Sequence, residues 1–591
     1  MPHDANLTDP GLRARAVQAA RGATPFDVLI ENGTVIDMVT GEERAADIGL
    51  VGPLIASVHA PNAREAEKRI DATGRFVVPG LIDTHMHVES SMVTPAEYAA
   101  HVLPRGVTTA LWDPHEFANV AGLDGMGYAL ACAAAAALRF LPLAPTCVPS
   151  APGFEQSGGD FDRETVARLL ARPDIHGAAE MMTMDPLLSG DPRVAGIVGA
   201  GLASGKRVCG HARGLSGNDL NAYAAAGVET DHELTSAADF LEKLRAGLTI
   251  ELRGSHTHLL PEFAEAILAL GHMPQTVTLC TDDVFPDDLL AKGGLDQVIR
   301  HLIALNLPAA WVYRAATLNA ATRIGRPDLG LVAPGKRADL VILTDRDDVR
   351  AETVVLDGNI VARDGLLLAA QTAPRVPERL SHSVSLTRLG PDAFEVSSTA
   401  PTARVATLSK PRFPEWSERT LTTSGGTLDL PQDMIRMAIV NRYAADAPVR
   451  VALMENWGTW TGAFASTVSH DSHNLTVFGT DAQTMAAAAT AVLESQGGMA
   501  VAHNGVVLQH MALPIAGLIS PARLADVARD FRAVRDALDQ CVTWEPPFLV
   551  FKALFGASLV CNAGPRLSDI GIVDPFENII LESCILDAQP G

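Results

Sequence analysis

Between residues 76 and 325 short apolar runs alternate with Ala- and Leu-rich stretches. That repeat restricts the chain to folds that wrap helices around parallel strands. Gly106-Val-Thr-Thr-Ala-Leu-Trp112, Arg207-Val-Cys-Gly210 and Thr276-Val-Thr-Leu-Cys280 all read as buried strands. Sustained over about 250 residues, the alternation predicts a (β/α)8 TIM-like barrel in an α/β chain. An open doubly wound sheet is the alternative, but no Gly-x-Gly-x-x-Gly fingerprint follows any of these strands.

Both flanks of this region have a different texture. Residues 1–25 form a polar leader with one helix around Leu12 to Ala20. Phe26-Asp-Val-Leu-Ile30, an Asn32-Gly33 turn and Thr34-Val-Ile-Asp37 predict a hairpin, and short strands continue to about residue 75. The same texture returns at Ala338-Asp-Leu-Val-Ile-Leu343 and from Val354 to Val361. Residues 26–75 and 326–370 are therefore expected to build one small β domain. Residues 371–416, rich in Pro, Ser and Thr, are expected to be linker-like. Residues 417–591 should form an α+β domain, with a helix from the Asp481 N-cap to Gln496 and a hairpin at Asn504-Gly505.

The chemistry concentrates at strand ends. Pro79-Gly-Leu-Ile-Asp-Thr-His85-Met-His87-Val-Glu89 closes an apolar run with two histidines spaced i, i+2. Side chains two apart on a strand share a face, so His85 and His87 can reach one metal ion. Glu180, His211, His232 and Asp282 follow at the ends of later runs. The C-terminal ends of barrel strands converge on one face, so all six residues can meet there. Four imidazoles and two carboxylates suit two divalent ions, with Glu180 placed to bridge them. Any one of these residues alone reads equally well as a cap, a core histidine or an ion-pair partner. The ordered set of six does not.

Other motifs fail when spelled out. His87-Val-Glu89 lacks the downstream Pro-Cys-x-x-Cys of a cytidine-deaminase zinc site. His115-Glu116 and His232-Glu233 lack a histidine at i+4, and no nucleophile-elbow or P-loop pattern exists. The net charge of −23 argues against nucleic acid or an anionic membrane surface as partner. The apolar stretch Ala129 to Leu143 is too short to span a bilayer and is broken by Arg139. Seven scattered cysteines without paired spacing fit a reducing compartment, and no signal-peptide pattern opens the chain, so a cytoplasmic location is expected.

These residues also carry a resemblance. The Pro79–His87 run, the ligand order and the flanking β domain resemble the amidohydrolase superfamily. More narrowly, five stretches resemble the bacterial adenine deaminases. They are His87-Val-Glu-Ser-Ser-Met, Trp112-Asp-Pro-His-Glu-Phe-Ala-Asn-Val, Cys147-Val-Pro-Ser, Cys280-Thr-Asp-Asp-Val-Phe-Pro-Asp-Asp-Leu and Ser469-His-Asp-Ser-His-Asn. The resemblance implies hydrolysis of adenine to hypoxanthine and ammonia in purine salvage, at two metal ions. Mn(II) or Fe(II) is favoured over Zn(II), and Glu180 stands where many relatives carry a carboxylated lysine. Asp282 is expected to shuttle the proton, with Asp283 its competitor. Glu89, Asp113, His115, Glu116 and Glu155 are candidates to bind the purine. His470 to Asn474 reads as a polar loop satisfying its own backbone. A homo-oligomer, a dimer, is expected. The alternatives are a cyclic amidohydrolase of the hydantoinase or dihydroorotase type, weakened because no lysine lies within ten residues of Glu180, and a non-catalytic scaffold of the same fold.

Overall fold

The computed structural model describes residues 4–369, 371, 373–411, 413–544 and 550–589. The chain sorts into two compact units. One comprises Met1–Asp113, Ala129–Ala144 and Arg163–Pro374, and the other Pro114–Tyr128, Pro145–Asp162 and Arg375–Gly591.

The first unit contains the barrel. Its strands are β1 (Leu81–Met86), β2 (Val107–Trp112), β3 (Arg139–Pro142), β4 (Gly177–Met181), β5 (Arg207–Gly210), β6 (Thr230–Asp231), β7 (Thr249–Arg253) and β8 (Val277–Cys280). Pairing is parallel throughout. A bridge between Ala144 and Ala178 joins β3 to β4, and one between Met86 and Asp282 closes the ring from β8 to β1. β5 and β6 meet where the Glu229 N–H donates to the Val208 carbonyl at 3.0 Å. These strands are buried almost throughout, which is why they read as continuous apolar runs rather than alternating ones. Gly80, just ahead of β1, lies so close to β2 that a Cβ there would overlap the Thr108 side chain.

A nine-stranded sheet joins the two flanks of the barrel. Phe76–Pro79 pairs antiparallel with Leu340–Asp345, with Val77 opposite Ile342. Ile30, Val35, Ile48, Val77, Leu340 and Val355 form its core. One local expectation is overturned. Asn32-Gly33 is not a hairpin turn but a bulge within a single strand, Phe26–Ile36. Both halves of that strand pair with Glu43–Val51, and the Asn32 N–H donates to Asp47 Oδ1 at 2.8 Å. A left-handed Asn (φ 61°) before Gly serves a bulge as well as a turn. The helix of the leader runs Pro10–Ala20, capped by Asp9.

The second unit is built on a ten-stranded sheet. Helix Ala482–Glu494 packs Met485, Ala489 and Val492 against Ala463, Ala465, Val477 and Ala500 of the sheet. Asp481 Oδ2 accepts the Thr484 N–H at 2.8 Å as its N-cap. Gly498–His503 and Val506–Ala512 form a hairpin, with both turn residues left-handed (Asn504 φ 50°, Gly505 φ 75°). The segment expected to be linker-like differs. It contains strand Thr402–Ser409, which pairs with Glu415–Ser424 on one side and Val449–Glu455 on the other. This unit also takes in two segments that follow β2 and β3, so its limits are not 417–591.

Because Gly80 has no room for a methyl group, Gly80→Ala should lower stability by roughly 1–3 kcal/mol, and adding Thr108→Ala should recover part of the loss. Thermal melting of both variants checks this; an unchanged midpoint in Gly80→Ala contradicts the packing described.

Candidate metal centre

All six strand-end candidates converge at one end of the barrel and are buried. His85 lies on β1 and His87 just beyond it. The ring of His87 presents Nδ1 to the Asp113 carbonyl oxygen at 3.0 Å. An N–H must sit on Nδ1 to make that bond, which turns Nε2 inward. There Nε2 faces Glu180 Oε1 at 3.5 Å and Asp282 Oδ1 at 3.3 Å. His85 Nε2 faces the same two oxygens at 3.8 and 3.4 Å.

Glu180, on β4, turns its second oxygen the other way. Oε2 is 3.2 Å from both His211 Nδ1 and His232 Nε2. One carboxylate thus addresses two histidine pairs, one oxygen to each. The rings of His85 and His232 stack across it with centroids 4.1 Å apart. Asp282 reaches its place through a left-handed backbone (φ 55°), with its N–H donating to the His85 carbonyl at 3.0 Å.

Buried carboxylates packed against imidazole nitrogens require positive charge between them. Protons show the demand. Burial opposes charging His87, yet Asp282, Asp283 and Glu180 outweigh it and hold the ring well above its ordinary range. Burial likewise works against ionised Glu180, but hydrogen bonds from His211 and His232 and the charges of His232 and His85 keep it well below the carboxylate range. Asp282 behaves in the same way, held down against burial chiefly by Arg253. Overlapping trios, His85–His87–Asp282, His85–Glu180–His232 and His211–His232–Glu233, each bring ligand atoms within 4.8 Å of one another. The donors fit a divalent metal.

Asp283 does not join this group. It accepts the Ser90 hydroxyl at 2.6 Å and lies 3.3 Å from Arg253. Of the expected purine contacts, Glu89 Oε2 accepts the Trp112 indole N–H at 3.0 Å, and Asp113 Oδ2 accepts the Glu180 N–H at 3.3 Å. His115, Glu116 and Glu155 belong to the second unit. There burial raises the Glu155 carboxyl to about 7, although Oε1 accepts the Ser150 hydroxyl at 2.5 Å and the Ala151 N–H at 3.0 Å. His470 Nδ1 lies 3.6 Å from Glu116, and His115 Nε2 3.9 Å from Asp471.

Glu116, His470 and His473 form another trio within 4.8 Å. His473 Nδ1, however, accepts the Ser469 N–H at 3.2 Å. Burial keeps this ring neutral, so its proton sits on Nε2 and that nitrogen offers no lone pair to a cation. The loop from Ser469 to Asn474 is held from within and by Arg442, whose Nη1 donates to the His473 carbonyl at 2.9 Å.

Residues 413–578 match the model of the adenine deaminase C-terminal domain, and residues 76–361 match that of the amidohydrolase family. Adenine deaminase 2 of Rhizobium meliloti (strain 1021) is 56% identical over 585 residues, covering 99% of this chain and 98% of that protein. Adenine deaminase of Serratia proteamaculans (strain 568) is 46% identical over 580 residues, 97% of this chain and 98% of that one. The chain belongs to the adenine deaminase family.

In this member, sequence reasoning missed Arg253. It stands at the end of β7, buried, and pairs with Glu233, Asp282 and Asp283. A search for imidazoles and carboxylates passes over a cation. Its position as the last residue of Thr249-Ile-Glu-Leu-Arg253 is the signal that was available. Arg213, which also pairs with Glu233, extends the same charge network.

His87 must lose its inward proton to bind a cation, and that proton is held above the ordinary imidazole range. Divalent affinity should therefore climb as pH rises from about 6 to about 8 and level off only above the His87 pKa. Competition with a chelator across that range checks the sign; affinity independent of pH contradicts the assignment.

Proposed function

We propose that the chain hydrolyses adenine to hypoxanthine and ammonia at two divalent ions, Mn(II) or Fe(II). His85, His87 and Asp282 would hold one, His211 and His232 the other, and Glu180 both. The observation that carries this reading is the split of the Glu180 carboxylate between two histidine pairs. The 46–56% identity to proteins named adenine deaminase supports the substrate. It also favours this reaction over cyclic-amide opening and over a non-catalytic scaffold.

When bound, such ions act as Lewis acids and bring the pKa of water down towards neutrality. Asp282 enters as a base, because Arg253 and the two imidazoles keep it ionised. It takes the proton of the attacking water as the oxygen–C6 bond forms. It then returns that proton to the exocyclic nitrogen as the C6–N bond breaks and ammonia departs. Arg253 fixes the carboxylate in place through the exchange. Recognition of the purine falls to Glu89, Asp113, His115, Glu116 and Glu155. Support for this is their burial and their place in the stretches that resemble the family.

The same reading extends to purine salvage in the cytoplasm and to a homodimer, which light scattering would test. No helix among the described residues is long and apolar enough to cross a membrane.

Metal-loaded protein should release ammonia from adenine, with adenosine and cyclic amides as controls. Ring opening of a cyclic amide, followed as loss of that substrate because it frees no ammonia, together with no ammonia from adenine would contradict the reading. Asp282→Asn should cut turnover by roughly 10²-fold or more while adenine still binds. Asp283→Asn should lose less. A dead Asp283→Asn beside an active, metal-replete Asp282→Asn would reverse the two roles. Glu180→Gln leaves the two cations without a charged bridge, so most activity should vanish with little change in melting. Wild-type turnover and metal content in that variant would remove Glu180 from the centre.

A further inference from the structure

Two ligands of the second ion come from different strands, and their backbone is tied to one buried side chain. Asp231, the last residue of β6, is fully buried. Its Oδ1 accepts the Ala212 N–H at 2.7 Å and the Glu233 N–H at 3.0 Å. Ala212 follows His211, and Glu233 follows His232. Its Oδ2 lies 2.7 Å from Nζ of Lys243, which is also completely buried, in helix Ala237–Arg245. Lys243 also reaches Asp239 at 3.0 Å, and Asp239 in turn accepts the Thr235 N–H at 2.8 Å. The other pair of ligand strands has its own staple. Asp83 accepts the Thr281 hydroxyl at 2.5 Å and N–H at 3.1 Å, and the His85 N–H lies 3.5 Å away. Each histidine pair is thus anchored separately.

We propose that Asp231, held by Lys243, is the positioning residue for the second ion. It fixes the backbone on which His211 and His232 stand before any cation arrives. This rests on the two-ion reading above. Burying a lysine and a carboxylate costs desolvation, and an apolar pair of similar volume would often stabilise as well. What the carboxylate adds is an acceptor that holds two ligand-bearing strand ends in register. Outer-shell partners of this kind change metal affinity by roughly 10–100-fold.

The test separates acceptor from packing by replacing both partners with neutral groups. D231N/K243M keeps an oxygen for the two N–H groups, whereas D231L/K243M removes it. Equilibrium dialysis of the full chain with Mn(II) reads both stepwise constants, and hydrogen exchange reads the metal-free protein. D231N/K243M should bind two equivalents within roughly threefold of wild type. D231L/K243M should keep the first and bind the second at least roughly tenfold more weakly. Peptides containing the Ala212 and Glu233 amides should be protected from exchange in metal-free wild type. That measurement decides the matter even if D231L/K243M fails to fold. Wild-type binding of the second ion by D231L/K243M, equal weakening in both variants, or rapid exchange at those amides would overturn the proposal. A wild-type protein that binds a single equivalent would instead overturn the two-ion reading, and this inference with it.

Discussion

Glu180 puts one carboxylate oxygen against His85 and His87 and the other against His211 and His232. Left to themselves, these buried groups are an electrostatic problem. A carboxylate with Asp282 beside it, surrounded by imidazoles and shielded from water, needs cations at short range. The rest of the first unit serves that requirement. Eight parallel strands bring the six donors to one end, and the Met86–Asp282 bridge closes the ring beside them. Asp282 adopts a left-handed backbone at that closure, where its N–H meets the His85 carbonyl. Fold closure and ligand geometry are therefore one event at this point of the chain.

Arginines balance the carboxylates beside the donors. Arg253 pairs with Glu233, Asp282 and Asp283, and Arg213 with Glu233. Arg253 keeps Asp282 ionised and oriented, which suits a base that must accept a proton briefly and give it up again. The Asp113 carbonyl fixes His87 by its outer nitrogen. Inner ligands with outer partners of this sort are the usual way that a protein sets ring orientation and tautomer.

Much of this was legible in the sequence because the rule for parallel barrels is simple: what stands at the end of an apolar run faces the site. His85 to Asp282 follow that rule. Their convergence required no knowledge of loops. The flanking sheet was legible for a similar reason, since Val77 and Ile342 sit in matching apolar textures. Asn32-Gly33 was misread because a bulge and a hairpin turn demand the same left-handed backbone. Only the shared partner strand distinguishes them. Strand Thr402–Ser409 was hidden in a Pro- and Ser-rich segment; it pairs with the next strand, Glu415–Ser424, but its other partners, Val449–Glu455 and Ile585–Gln589, lie far along the chain. Lys243, in Ala237-Ala-Asp-Phe-Leu-Glu-Lys, looks like one charge among others on an amphipathic helix. Its burial comes from Asp231, a long-range contact that local pattern does not encode.

The proposed chemistry depends on one carboxylate joining two cations. Electron paramagnetic resonance of the protein loaded with two equivalents of Mn(II) reads that bridge, because through-bond exchange between two Mn(II) spins needs a shared ligand. Wild type should give a spin-coupled dinuclear spectrum that collapses to isolated-ion signals in Glu180→Gln. Isolated six-line signals from fully loaded wild-type protein would contradict it.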